Sequence, residues 1–302
     1  SMADLLSLCL TLQPLEAPDP TALLPQWWGR AAHALLLNVV RQYDPALAQE
    51  LHEAPDESGQ AIRPFTVSNL VGNFSHGALD PQGRYALRLT AFHRPLTHII
   101  LEAAQEGPLA VGAQVELDHR PFQILAARYH PPSAPQIQSK SDSEHPAGKL
   151  DDWADVQEYP QLSASLLLAK EPPPRRLRLR FASPTSFKSG GKHIPLPLPE
   201  LVFGSLLEKW NAFAPLAFPA EARRYAAECL AIGRYELSSR AVGGKNGGLR
   251  VGGVGWATYV SLNYDRYWMS VMGVLARFAA FAGVGAGVAQ GMGQCRLEPE
   301  PA

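Results

Sequence analysis

The sequence predicts an α+β protein made of two successive β-α-β-β-α-β units. Three observations predict it. Runs of alternating apolar residues and segments of helical spacing follow one another in the same order in both halves of the 302-residue chain. A stretch rich in Pro, Ser and charge, residues 131–160, divides those halves. Five glycines, Gly283, Gly285, Gly287, Gly291 and Gly293, crowd between the last helical pattern and the last strand pattern.

The elements follow in order. In "DLLSLCLTLQ" Leu6, Leu8, Leu10 and Leu12 face one way and Ser7, Cys9, Thr11 and Gln13 the other, which predicts a half-buried strand. From Pro25 to Arg41, Trp28, Ala32, Leu35, Leu36 and Val39 recur at helical spacing. Residues 64–70 and 84–92 read as strands. "PLTHIILEAAQEG" reads as a helix with proline at its start and glycine past its end. Residues 114–117 and 121–129 complete a strand pair. This order is the ferredoxin-like arrangement. After the connector it repeats. "RRLRLRFAS" is a strand, 199–213 a helix, 231–240 and 252–263 strands, Arg266 to Phe281 a helix, and "GQCRLEP" the last strand. The expected domains are therefore 1–130 and 161–302, joined by 131–160 and closed by a C-terminal glycine-rich loop. The two halves repeat an architecture without obvious sequence identity.

Composition narrows the function. Apolar residues make up 46% and charged residues 18%, the values of a folded globular chain. Cys9, Cys229 and Cys295 lie far apart with no CxxC pair, which argues against a zinc ribbon or a disulfide framework and suits a reducing, cytoplasmic setting. Arg277 and four glycines interrupt the longest nearly apolar stretch, Trp268–Ala289, so no membrane span is expected. The formal net charge of −1 hides an asymmetry. Residues 1–160 hold ten Lys and Arg against nineteen Asp and Glu, and 161–302 hold seventeen against nine. The second half would attract a polyanion.

Basic residues concentrate in two stretches of that half. Arg176, Arg178 and Arg180 share one face of a strand opposite Leu177, Leu179 and Phe181. Lys188, Lys192 and His193 follow in a loop with Gly190 and Gly191. Arg240, Lys245 and Arg250 decorate a glycine-rich hairpin-like loop. Either stretch alone suits a solvated face; both in one half favour contacts to nucleic-acid phosphates. Trp256, Tyr259 and Trp268 could stack on bases or pack in the core. The glycine segment is neither a dinucleotide fingerprint nor a P-loop. It could turn backbone N–H groups toward phosphate, or serve as a tight turn packing the last helix on the sheet.

Three blocks carry a resemblance: "LHEAPDESGQAIRPFTVSNL", "FASPTSFKSGGKHIPLPLPELVFGSLLEKWNAF" and "FAGVGAGVAQGMGQCRL". In this order they resemble the CRISPR-associated repeat-processing endoribonucleases of the RAMP superfamily, over nearly the whole chain. The resemblance implies two tandem ferredoxin-like domains and metal-independent cleavage of CRISPR precursor transcripts within each repeat. The ribose 2′-hydroxyl attacks the phosphate and leaves a 2′,3′-cyclic phosphate, and the products are guide RNAs. It implies no cofactor and no metal.

It also implies roles for residues. His52 stands at the family's catalytic-histidine position, and imidazole suits proton transfer because its free pKa lies near 6.5. Arg63 stands where some members carry a lysine; arginine clamps phosphate but donates protons poorly. Leu37 stands where some members carry a tyrosine, and His33, one helical turn earlier on the same face, could compensate. His76, His93, His98, His119, His130 and His145 read as surface or structural residues. RNA contact is expected at Arg176, Arg178, Arg180, Lys188, Lys192, His193 and Lys245, and at Gly283, Gly285, Gly291 and Gly293. The residues between the glycine pairs, "AGVAQ", lack the Lys or Arg of many members. The expected partner is CRISPR repeat RNA, single-stranded or hairpin. A homodimer and contacts with CRISPR effector-complex subunits stay open. So do two other readings, a repeat-RNA-binding RAMP protein without cleavage and a structural effector subunit.

Overall fold

The computed structural model describes residues 2–17, 19, 21–53, 62–131, 149–244 and 247–299. These fall into two compact units. The first comprises 2–53, 65–156 and 289–291; the second comprises 62–64, 157–288 and 292–299.

In the first unit, strand β1 (Leu5–Pro14) leads to helices α1 (Gly29–Tyr43) and α2 (Pro45–Glu53), strand β2 (Phe65–Val67) and a small hairpin of β3 (Phe74–Ser75) and β4 (Ala78–Leu79). Strand β5 (Tyr85–Ala91), helix α3 (Arg94–Glu106) and strands β6 (Gln114–Leu117) and β7 (Arg120–Arg128) follow. The sheet runs β2-β5-β1-β7-β6, with every one of these neighbours antiparallel. Leu6, Leu8, Leu10 and Leu12 pack against Ala32, Leu36, Val40 and Ile100 from α1 and α3.

β1 departs from the half-buried strand its alternation predicts: Ser7 and Cys9 are as buried as the leucines. The stretch expected as a connector supplies the cover. A 3-10 turn, Asp151–Trp153, lies against that second face, and strand β8 (Asp155–Gln157) follows it and pairs with β1 in the sheet. Cys9, Trp153 and Ala154 form a small cluster there. The Arg88 guanidinium lies 4.4 Å from the Trp153 ring centroid and donates to Ser7 Oγ at 3.0 Å. Cys9 Sγ donates to Leu150 O, and burial pushes its thiol up to about 12.

In the second unit, α4 (Tyr159–Leu167) precedes strand β9 (Arg176–Thr185), a hairpin of β10 (Phe187–Ser189) and β11 (Lys192–Ile194), and helices α5 (Pro199–Phe213) and α6 (Glu221–Cys229). The long strands β12 (Leu230–Gly243) and β13 (Leu249–Ser261), helix α7 (Arg266–Ala282) and strand β14 (Cys295–Glu298) complete it. The sheet runs β12-β13-β9-β14, all antiparallel. Leu177, Leu179 and Phe181 are buried, as the alternation predicts. Asp265 caps α7, its Oδ1 accepting from Trp268 N at 2.9 Å. Tyr259 belongs to the core, with its hydroxyl donating to Pro197 O at 2.7 Å. No described helix is long and apolar enough to cross a membrane.

Candidate functional site

The glycine-rich segment is stitched to the end of β9. Ala286 N donates to Ser186 O at 2.9 Å, Gly293 N to Pro184 O at 3.0 Å, and Gln294 N to the Ser183 hydroxyl at 2.9 Å. Within the segment Val284 N donates to Gly293 O at 2.9 Å, and Gly285 N reaches Ser205 Oγ on α5 at 2.9 Å. Two of the glycines answer why the segment needs them. Gly285 has φ +75° and a Cβ there would lie 2.2 Å from Ser186 O; Gly293 has φ +69° and its Cβ would lie 2.1 Å from Val284 O. The S-P-T-S block and the glycine block are thus two sides of one construction. The amides of Gly283, Gly285 and Gly293 are engaged inside the protein, so the expectation that they turn toward phosphate gives way to the tight-turn alternative.

The tip of the segment, Ala289–Gly291, packs within the first unit. Trp27 Nε1 donates to Gln290 O at 2.6 Å and His33 Nδ1 donates to Ala289 O at 2.8 Å. A carbonyl oxygen only accepts, so the His33 proton sits on Nδ1 in the neutral ring. The Phe65 ring centroid lies 5.4 Å from that of His33. A Cβ on Gly291 would meet the Trp27 ring at 2.9 Å. Trp27 has no advance signal in the sequence, because its partner lies 263 residues away.

His52 is exposed in the last turn of α2. The L-H-E motif suggests a loop after the first helix; the chain instead starts a second helix at once. Asp44 Oδ1 accepts from Leu47 N at 2.9 Å, an N-cap followed by Pro45 at the first helical position. Arg63 is half-buried just ahead of β2 and groups with the second unit. Leu37 is 5% exposed in the core of the first unit.

The basic strand face is only partly open. Arg176 is exposed, while the Arg178 side chain is 14% exposed with its guanidinium 3.7 Å from the Trp256 ring centroid. Glu298 on β14 pairs with both Arg178, at 3.6 Å, and Arg180. The loop expected after β9 is a two-residue hairpin. Gly190 and Gly191 take φ +57° and +76° at its turn, and Lys188 faces His193 across β10 and β11. Lys188, Lys192 and His193 are exposed on it. Lys245 lies outside the described residues. Among the described residues no group of three or more His, Cys, Asp or Glu could hold a metal ion.

The family model for the CRISPR-associated endoribonuclease Cas6 matches residues 179–295, the stretch from β9 through the glycine-rich segment to β14. Two solved Cas6 product complexes resemble the chain over almost all of its length. One has 26% identity and a TM-score of 0.71, covering 98% of this chain and 99% of that one. The other, a Thermus thermophilus protein, has 25% identity and a TM-score of 0.73, covering 99% and 100%. The chain is thus similar to Cas6 endoribonucleases in both sequence and structure. A CRISPR-associated endoribonuclease Cas6 from Mycobacterium tuberculosis is 25% identical over 231 residues, 73% of this chain and 64% of that relative's length.

Sequence reasoning missed Lys209, which lies on α5 inside the matched region. Its side chain is buried, and Nζ lies 3.3 Å from Ala282 O, 3.2 Å from Gly283 O and 3.4 Å from Gly285 O. Burial pulls its pKa down to about 7. Nothing in "SLLEKWNAF" marks this lysine, because any one position of an amphipathic helix can carry a solvated amine.

Proposed function

We propose that this chain is a metal-independent endoribonuclease that cuts CRISPR precursor transcripts once within each repeat. The observation that carries the reading is the likeness, over 98–99% of the chain, to two Cas6 product complexes. We read each unit as a ferredoxin-like domain. In each sheet the first long strand lies between the third and the fourth, with the second outside the third.

In this reaction the 2′-hydroxyl loses its proton to a base, and its oxygen bonds to the adjacent phosphorus. The bond from phosphorus to the 5′-oxygen breaks, and that oxygen takes a proton from an acid. The products are a 2′,3′-cyclic phosphate and a 5′-hydroxyl. His52 donates the proton to the leaving oxygen. His33 takes the 2′-hydroxyl proton on Nε2, a role supported by the Nδ1–H bond to Ala289 O, which leaves Nε2 with the lone pair in the neutral ring. Arg63 balances the charge that builds on the phosphorane oxygens. Arg176, Lys188, Lys192, His193 and Lys245 supply contacts to the repeat RNA.

Incubation with repeat RNA from the same genome in EDTA, read on a gel, tests this. The expected result is one cut. A substrate with a 2′-deoxy sugar before the cut should bind and stay whole. Binding without any cut favours the repeat-binding reading, which the burial of Leu37 at the tyrosine position supports. Cleavage that needs magnesium overturns the mechanism.

A further inference from the structure

The glycine-rich segment meets Lys209 with its carbonyls. Ala282 is the last residue of α7, and Gly283 and Gly285 open the segment. A helix end leaves carbonyls without intrahelical partners and carries partial negative charge. An ammonium has three donors and no acceptor, and here three carbonyls converge on it at 3.2–3.4 Å. Burying a charge is costly unless it is paired, and a methionine would fill the same space without that cost. The buried amine is explained if those carbonyls must be held.

We propose that Lys209 is a positioning residue whose ammonium gathers the carbonyls of Ala282, Gly283 and Gly285 and so fixes the path of the segment that carries Ala289 to His33. Five glycines in eleven residues leave this stretch much backbone freedom to lose. Hydrogen bonds to Pro184, Ser186 and Ser205 hold its amides. Lys209 holds its carbonyls. The ionisable groups that act on the amine are Glu208, beside it on α5, and Cys295 on β14. The bearing of Lys209 on cleavage rests on the role given to His33 above; its bearing on the segment does not.

Hydrogen exchange on the full, RNA-free chain at pH 6.5 tests this, with wild type, Lys209→Met and Lys209→Arg compared. In Lys209→Met, protection across 283–293 should fall by about tenfold or more while β9 and α5 keep theirs. Lys209→Arg, which retains the charge, should restore most of it. The His33 Nδ1–H proton resonance should persist in wild type and Lys209→Arg and broaden away in Lys209→Met. Wild-type protection of the segment in Lys209→Met, or an equal loss everywhere, would overturn the proposal. Should Lys209→Met fail to fold, the side-chain ¹³Cε signal of Lys209 in wild type is followed from pH 6 to 9. Protection of 283–286, corrected for intrinsic exchange, should fall as that signal titrates; no such tracking also overturns it. Unchanged repeat cleavage in a variant whose segment has loosened would leave the positioning intact and remove His33 from the reaction.

Discussion

The Ala289 carbonyl accepts a hydrogen bond from His33 Nδ1 at 2.8 Å, across 256 residues of sequence. That bond ties a glycine-rich turn to an imidazole. It gives the glycines a purpose other than offering amides to phosphate. Their backbone must follow a path that ends with one carbonyl at one ring nitrogen.

Replacing His52 tests the proton donor. General acid–base work typically contributes about 10²–10⁴-fold. His52→Ala should therefore slow single-turnover cleavage by that order while repeat-RNA affinity stays within a few-fold. A variant cutting at the wild-type rate would move the proton transfer elsewhere.

His33 should behave as a base. His33→Ala should slow cleavage by about 10²-fold or more and remove the acidic limb of the pH–rate profile, because the limb reports protonation of Nε2. His33→Asn keeps a donor for Ala289 O without a titrating ring. If His33→Asn retains both the rate and the limb, His33 is structural.

The arginines of β9 should not contribute equally to binding. Arg176 is exposed, whereas Glu298 already pairs with Arg178 and Arg180. Arg176→Ala should flatten the salt dependence of RNA affinity by about one unit of slope. Glu298→Gln should steepen it, since it frees two guanidinium groups for phosphate. An unchanged slope in both variants would take this face out of the RNA path.

Gly285→Ala should cost about 1–3 kcal/mol of stability from its positive φ, with an added cost from the 2.2 Å approach of its Cβ to Ser186 O. Denaturant midpoints measure it. Gly190→Ala has a positive φ but open space around it and should cost less.

Lys209 should make stability depend on pH. Its folded pKa, about 7, lies below lysine's ordinary 10.5. Below pH 7 both folded and unfolded chains hold the proton, and the folded one bears the buried charge. Between about 7 and 10.5 the unfolded chain binds more protons, so stability rises with pH across that window. Lys209→Met should abolish this component, which the difference between the two proteins' stability–pH curves isolates.

Local chemistry in the sequence determined much of this protein. The spacing in "PELVFGSLLEKWNAF" marks α5 at its observed bounds, and the alternation in "RRLRLRFAS" sorts the β9 arginines from its leucines. Periodicity and capping depend on neighbours within a few residues, so they can be read from one chain. The second cover of β1, the pairing of Glu298 with Arg180, the carbonyl cradle of Lys209 and the bond from His33 to Ala289 could not be read this way. Each joins residues 73 to 256 apart. Alternation says which way a side chain faces, but the tertiary path of the chain decides what meets it there. Ser7 and Cys9 look like a solvent face until Trp153 arrives, and the glycine amides look available until β9 takes that of Gly293 and Ser205 takes that of Gly285.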